Sequence, residues 1–337
     1  MIKKNIKKII LLLITLIFLY FVFANLDYKE LFEVIKDFNP LFLILFSLSA
    51  LSSFSCRAIC FKILMSKTAK LPLKTLIPLC ITGASLNVIL PARAGDIFRA
   101  FFIGQKYNIN KLKVFGTVML ERMFDTFVIF CFLTIAVTLY HKNQLAIHLC
   151  TFAGIIMVVF ATFAFVAFKY NKADTICNFL IKQTSSFPFA EHLEKFITFI
   201  NNSCNNFFNG FEIMESPKKL IRVILTSFCI WSFECLNFYI LICGFGYHLH
   251  WSITLFILSF IALACMIPST SIFIGPYQMA VIAAFAIYDV GKETALAITL
   301  VQQTSVIILT TVIAGIFLIK NNISYKELKS DINTKIE

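Results

Sequence analysis

Apolar runs separated by short polar breaks fill nearly the whole chain, and the runs are continuous rather than striped. Residues 9–24, 41–65, 114–140, 145–168, 221–247 and 295–319 each come near or exceed the roughly 20 apolar residues that a spanning helix needs. Two further runs are interrupted. Residues 76–90 are short of a span and lead into N-V-I-L-P-A-R-A-G-D-I-F-R, with Pro91 and Gly95 breaking the helix pattern. Residues 251–267 are followed by I-P-S-T-S-I-F-I-G-P-Y-Q, in which Pro268 and Gly275 interrupt, and then by a short apolar run over 279–288. The pattern predicts an all-α polytopic membrane protein with about six to eight transmembrane helices, plus one or two re-entrant broken helices. Two broken segments, one in each half, are also the pointer to an inverted repeat with a site at mid-depth, although no residue-level repeat is visible.

Composition agrees with this reading. Of 337 residues, 59% are hydrophobic and 14% charged, against about 25% charged in soluble domains. The net charge of +12 forms no nucleic-acid-binding face. The basic residues sit in short clusters between the runs, which is the positive-inside pattern. Four lysines before Lys8 is passed place the N-terminus in the cytoplasm, and Lys320, Lys326 and Lys329 do the same for the C-terminus. A cleaved signal peptide, with Val22 and Ala24 at the −3 and −1 positions, is the competing reading of the first run. The broken run over 76–90 is flanked by lysine on one side and by Arg93, Arg99 and Lys106 on the other, so it is expected to enter and leave from the cytoplasmic face. The run at 251–288 fits either two short spans or a hairpin dipping from outside.

One domain, residues 1–320, is expected, with a polar cytoplasmic tail over 321–337. Residues 169–219 form the one substantial polar piece. In it Leu193, Phe196, Ile197, Ile200, Phe207, Phe208 and Phe211 recur at helical spacing, as in an amphipathic cytoplasmic helix lying on the membrane or packed under the spans. No cofactor or metal site is called for. Cys56 and Cys60 share a helix face, but no His or second Cys pair accompanies them.

The candidate chemistry lies in charges at hydrophobic depth. Asn87, Arg93, Asp96 and Arg99 occupy the first broken segment, and Glu121, Arg122 and Asp125 lie inside the run that starts at residue 114. An ionised side chain at that depth costs about 3 kcal/mol or more on insertion scales, so each must meet a partner, water or a ligand. Glu121 and Asp125 share a face at i, i+4, and Arg122 reaches Asp125 at i, i+3. One reading is an internal ion pair that locks helix packing. The other is that Arg93, Arg99 and Arg122 hold an anionic headgroup, which the planar guanidinium suits, while Asp96, Glu121 and Asp125 orient them. Glu234, near the middle of its run, is either a proton-coupling group or the partner of Arg57.

The run from Asn87 to Arg99 followed by E-R-M-F-D (Glu121 to Asp125) resembles the lysylphosphatidylglycerol synthase transmembrane region, also called the flippase-like domain family. The likeness continues through S-P-K-K-L (Ser216 to Leu220) and a span with Trp231, and ends on Pro268, Gly275 and Gln278. Gln278 stands where the family usually has Glu, and Gln302 or Gln303 stands near an expected Arg. The resemblance implies a bundle with re-entrant helices that moves lipids or lipid-linked intermediates between the leaflets of a bacterial-type plasma membrane. Its implied substrate is an anionic phospholipid or polyprenyl-linked lipid. It also implies that any aminoacyl transfer belongs to a separate soluble domain, so a non-enzymatic, stand-alone member is expected. Two other readings are a non-catalytic membrane partner of an envelope-biosynthesis enzyme, and an intramembrane lipid-phosphate transferase using Asp96, Glu121 or Asp125 as base or metal ligand.

Overall fold

A computed structural model describes residues 17–24, 26–90, 93–139, 190–265 and 275–323. The expected run at 145–168, Pro91 and Pro268 lie outside the described residues, as does the first half of the run at 9–24. Within them the chain is helical throughout. Residues 17–23 are helical, followed by α1 (Tyr28–Lys36), α2 (Phe42–Leu64), α3 (Leu73–Ile89), α4 (Ala94–Lys106) and α5 (Lys111–Leu139). After the gap come α6 (Ala190–Phe208), α7 (Pro217–Gly244), α8 (Ile253–Ala264), α9 (Pro276–Ala286) and α10 (Lys292–Lys320). Four of these helices, α2 with the turn that follows it, α5, α7 and α10, are long and apolar enough to cross a membrane. Their outer faces stay apolar where no protein covers them. On α10, Ile308, Val312 and Ile316 form an exposed row at i, i+4, i+8, the face a lipid tail would touch.

The ends of the bundle separate by charge. At one end Lys67 bonds Glu215 at 2.7 Å, Lys113 bonds Glu212 at 2.7 Å, Lys219 bonds Ser66 at 2.9 Å and Lys106 reaches Asn321 at 3.5 Å. These contacts gather the C-termini of α2, α4 and α10 with the N-termini of α5 and α7 into a basic end. The amphipathic segment closes it from below: α6 and the turn Asn209–Glu215 pack on α5, where Phe207, Phe208 and Phe211 cluster with Leu64, Leu120 and Val223. At the other end the backbone N–H of Asp27 meets Glu293 at 3.3 Å, Lys292 caps the carbonyls of Phe21 and Ala24, and Tyr247 bonds Thr294 at 2.9 Å. Asp27, Glu30, Glu33, Asp37 and Glu293 make that end acidic.

Between the two ends lie two short hairpins. The α3–α4 pair starts and finishes at the basic end, with Leu90 and Arg93 at its far end. The α8–α9 pair starts and finishes at the acidic end, where Ser252 bonds Tyr288 at 2.6 Å. The second broken segment thus leaves and returns at one end of the bundle, and the two helix pairs open in opposite directions. This is the arrangement expected of an inverted repeat. Arg93, ahead of α4, lies within electrostatic range of Cys265 at the end of α8.

The first hairpin closes through glycine. A Cβ on Gly95 would sit 1.8 Å from the carbonyl oxygen of Gly83, and a Cβ on Gly83 would sit 2.6 Å from Cδ of Arg99. Only hydrogen fits between the two backbones. Gly95→Ala should therefore force α3 and α4 apart. Thermal unfolding of the full-length protein in detergent is expected to show a loss of several kcal/mol, in the range of severe overpacking, about 3 kcal/mol or more; an unchanged melting temperature would contradict the close approach.

Candidate functional site

Asn87, on the last turn of α3, accepts the backbone N–H of Gly95 at 2.8 Å and of Asp96 at 3.2 Å with its side-chain oxygen. It caps α4 from outside that helix and fixes the tip of the hairpin. Arg93 precedes α4 in a left-handed conformation, φ 53°, and is exposed. The cap puts Asp96 and Arg99, one turn apart, on the face of α4 that meets α5.

There they join a six-residue network. Arg99 bonds Glu121 at 2.8 Å and 3.3 Å, a two-pronged contact, and lies 3.8 Å from Asp96. Arg57 of α2 bonds Glu121 at 3.0 Å and Asp125 at 2.8 Å. Arg122 bonds Asp125 at 2.9 Å, Asp96 at 3.2 Å and Glu121 at 3.4 Å. Three guanidinium groups thus face three carboxylates, and the ionised sum is zero. Glu121, with no exposed surface, accepts from all three arginines. Two aromatic rings finish the shell: Trp231 of α7 donates its indole N–H to Asp125 at 2.9 Å, and Arg99 stacks its guanidinium carbon 4.7 Å from the Phe61 centroid. At 1.5 Å per residue from the basic end, these groups lie roughly 10–21 Å into the bundle.

The network brings together Asp96, Arg99, Glu121, Arg122 and Asp125 from the sequence-derived site, with Asn87 and Gly95 behind them. It does not include Arg93, whose side chain makes no ion pair or hydrogen bond with another described residue. Arg122 is the member that reaches the surface, with 25% of its side chain exposed. Asp96 Oδ2, Arg99 Nε and Arg122 Nε have no hydrogen-bond partner among the described residues.

Glu234 belongs to a different cluster. It accepts from the Ser53 hydroxyl at 2.7 Å and from the Asn237 amide at 3.3 Å. The Glu234–Arg57 alternative is not what forms, because Arg57 is held by Glu121 and Asp125. Arg57 and Trp231 were not among the sequence-derived site residues. A signal for Arg57 was available: Asp96, Glu121 and Asp125 need three cations at depth, and Arg99 and Arg122 supply two. In the second hairpin Gly275 adopts φ 97° ahead of α9, a conformation that favours glycine. Gln278 accepts the Gly275 N–H at 2.7 Å and donates to Gln303 of α10 at 2.7 Å, while Tyr277 donates to Gln302 at 2.8 Å. A glutamate at 278 could accept the first bond but, ionised, could not donate the second. The paired amides thus give the Gln-for-Glu departure a structural use.

Long apolar helices around a buried, charge-balanced cluster define an all-α, membrane-like protein. The lysylphosphatidylglycerol synthase TM region family matches residues 8–314, and the chain belongs to that family. It is similar to a UPF0104 membrane protein of Methanocaldococcus jannaschii, 24% identical over 96% of this chain and 98% of the relative. A UPF0104 membrane protein of Methanothermobacter thermautotrophicus is 23% identical over 68% of this chain and 70% of its own length. No solved structure matches the chain.

Asn87→Ala removes the acceptor for two backbone N–H groups of α4. The loss expected is about 1–2 kcal/mol of stability, the upper range for a helix cap, with Asn87→Asp retaining most of it. Denaturant titration in detergent checks the order, and equal losses for Ala and Asp would contradict the capping role.

Proposed function

We propose that the protein moves a lipid bearing an anionic headgroup, a phospholipid or a polyprenyl-linked intermediate, between leaflets. The observation that carries this reading is the uncommitted Arg93 at the tip of the first hairpin, next to a network in which every other arginine is already matched by carboxylate. A phosphate entering between the two helix pairs meets Arg93 first, and then the exposed part of Arg122. Charge-assisted bonds from guanidinium to phosphate are strong and directional, while acyl chains can remain against the exposed apolar faces. The positive-inside rule puts the basic end, with both chain termini, on the cytoplasmic side of a plasma membrane. The first hairpin then opens inward and the second outward, which gives two alternately accessible routes to one mid-depth site.

The completeness of the network favours one competing reading. A cluster that satisfies itself can serve packing alone, as in a non-catalytic partner of an envelope-biosynthesis enzyme. Headgroup movement in proteoliposomes separates the two. Arg93→Ala leaves the network intact, so the variant should elute and melt as wild type does. It should move labelled anionic lipid about tenfold more slowly, the loss of one charge-assisted contact of roughly 1.5 kcal/mol. Wild-type movement that Arg93→Ala leaves unchanged would overturn the assigned headgroup contact. A wild type that moves none of a panel of anionic and polyprenyl-linked lipids would favour the partner reading.

A further inference from the structure

Ser216 and Pro217 open α7, and Lys218, Lys219 and Arg222 fill its first two turns with no acid among them. Lys218 and Arg222 share a face at i, i+4, where like charges repel. Both are exposed, and neither side chain makes an ion pair or hydrogen bond with another described residue. Lys219 turns toward the end of α2 and meets a hydroxyl, Ser66 at 2.9 Å. The two acids in the preceding turn, Glu212 and Glu215, are taken by Lys113 and Lys67 at 2.7 Å each. Three cations thus gather without a carboxylate partner, among the described residues, where α2 ends and α7 begins.

Further along, the same face of α7 turns apolar and stays open. Ile221 is 57% and Leu225 58% exposed, each about one turn from Lys218 and Arg222, and the exposed Cys229 follows a turn later. α2 runs antiparallel beside it, with Cys60 3.9 Å from Ser227, and exposes Ile59 near the same level. Lys62, exposed in the last turn of α2, flanks this strip. Cations followed by open apolar surface along one helix seam match a phospholipid, an anionic headgroup and then an acyl chain. Lys74 at the start of α3 makes a useful contrast. It is also exposed and unpaired, but α3 exposes no large apolar side chain before Ile89.

We propose that the α2–α7 seam at the basic end is a resident site for one anionic phospholipid of the adjoining leaflet. Lys218, Lys219 and Arg222 hold the headgroup phosphate, Arg222 through its planar fork, and an acyl chain lies along Leu225, Cys229 and Ile59. Basic clusters between spanning helices attract anionic headgroups by charge, and the apolar strip fixes where the lipid sits. The site contains neither Arg93 nor any member of the buried network, so the lipid is held rather than moved, and the proposal does not rest on the function proposed above. It bears on the network all the same. α2 brings Arg57 to Asp125 at 2.8 Å and α7 brings Trp231 to it at 2.9 Å. A lipid bonded to α7 with its chain against α2 ties those two helices together.

Native mass spectrometry of the full-length protein in detergent, titrated with phosphatidylglycerol or with phosphatidylcholine of the same chains, tests the site. Wild type is expected to hold one phosphatidylglycerol about tenfold more tightly than phosphatidylcholine. Arg222→Gln should weaken that lipid about fivefold, the effect of one cation near the headgroups. The combined Lys218→Gln, Lys219→Gln, Arg222→Gln variant should bind the two lipids alike. Lys70→Gln with Lys74→Gln, which removes two exposed cations from the same end, should keep the wild-type preference. Equal binding of both lipids by wild type, an unaltered preference in the combined variant, or an equal loss in the Lys70 and Lys74 variant would each overturn the proposal. Displacement of the bound lipid by millimolar inorganic phosphate would also overturn it, because the cations would then hold a free anion and the apolar strip nothing. Arg222 is exposed, so Arg222→Gln should elute and melt as wild type does without lipid, and its weakened binding then reads the site alone.

Discussion

Glu121 sits where the chain is most committed. It has no exposed surface and accepts from Arg57, Arg99 and Arg122, which arrive from α2, α4 and its own helix. In a low-dielectric interior each ionised group is strongly unfavourable alone and tolerable only when paired and hydrogen-bonded. Three cations and three anions therefore form one unit, and removing one member leaves an uncompensated charge. That requirement, more than apolar packing between helices in lipid, is what can hold the short α3–α4 hairpin against two spanning helices. The Gly83–Gly95 contact and the Asn87 cap serve the same end by setting the depth and rotation at which Asp96 and Arg99 present themselves.

The balance also divides the molecule into parts with different tasks. Around Glu121 the charges balance within the network. Beyond it, two charged groups have no ion-pair partner among the described residues: Arg93 ahead of α4 and Glu234 on α7. The second hairpin meets α10 through Tyr277–Gln302 and Gln278–Gln303, neutral hydrogen bonds that can be exchanged at less cost than ion pairs. One helix pair is thus held by charge and the other by amides.

Much of this was legible in the sequence, because the bilayer imposes few choices. Continuous apolar runs marked the long helices, and Pro91, Gly95 and Gly275 marked the breaks. Charge at depth singled out Asp96, Arg99, Glu121, Arg122 and Asp125. Pairing across helices was harder to read, since spacing along one helix says nothing about its neighbour. Arg57 could be assigned to Glu234 or elsewhere until α2 was seen packed so that Ser53, one turn away, takes Glu234 and Arg57 takes Glu121. Likewise, a hairpin and two short spans at 251–288 leave the flanking charges unchanged, and both bring Ser252 and Tyr288 to the same end of the bundle.

The central claim is that charge balance, rather than any single ion pair, holds the first hairpin. Equilibrium unfolding of wild type, Arg99→Met, Glu121→Gln and the double variant in detergent tests it directly. Each single variant leaves an odd charge in the interior and should cost about 3–5 kcal/mol. The double variant retains Arg57 and Arg122 against Asp96 and Asp125, a neutral set, and should cost clearly less than the sum of the two. Strictly additive losses would contradict the account.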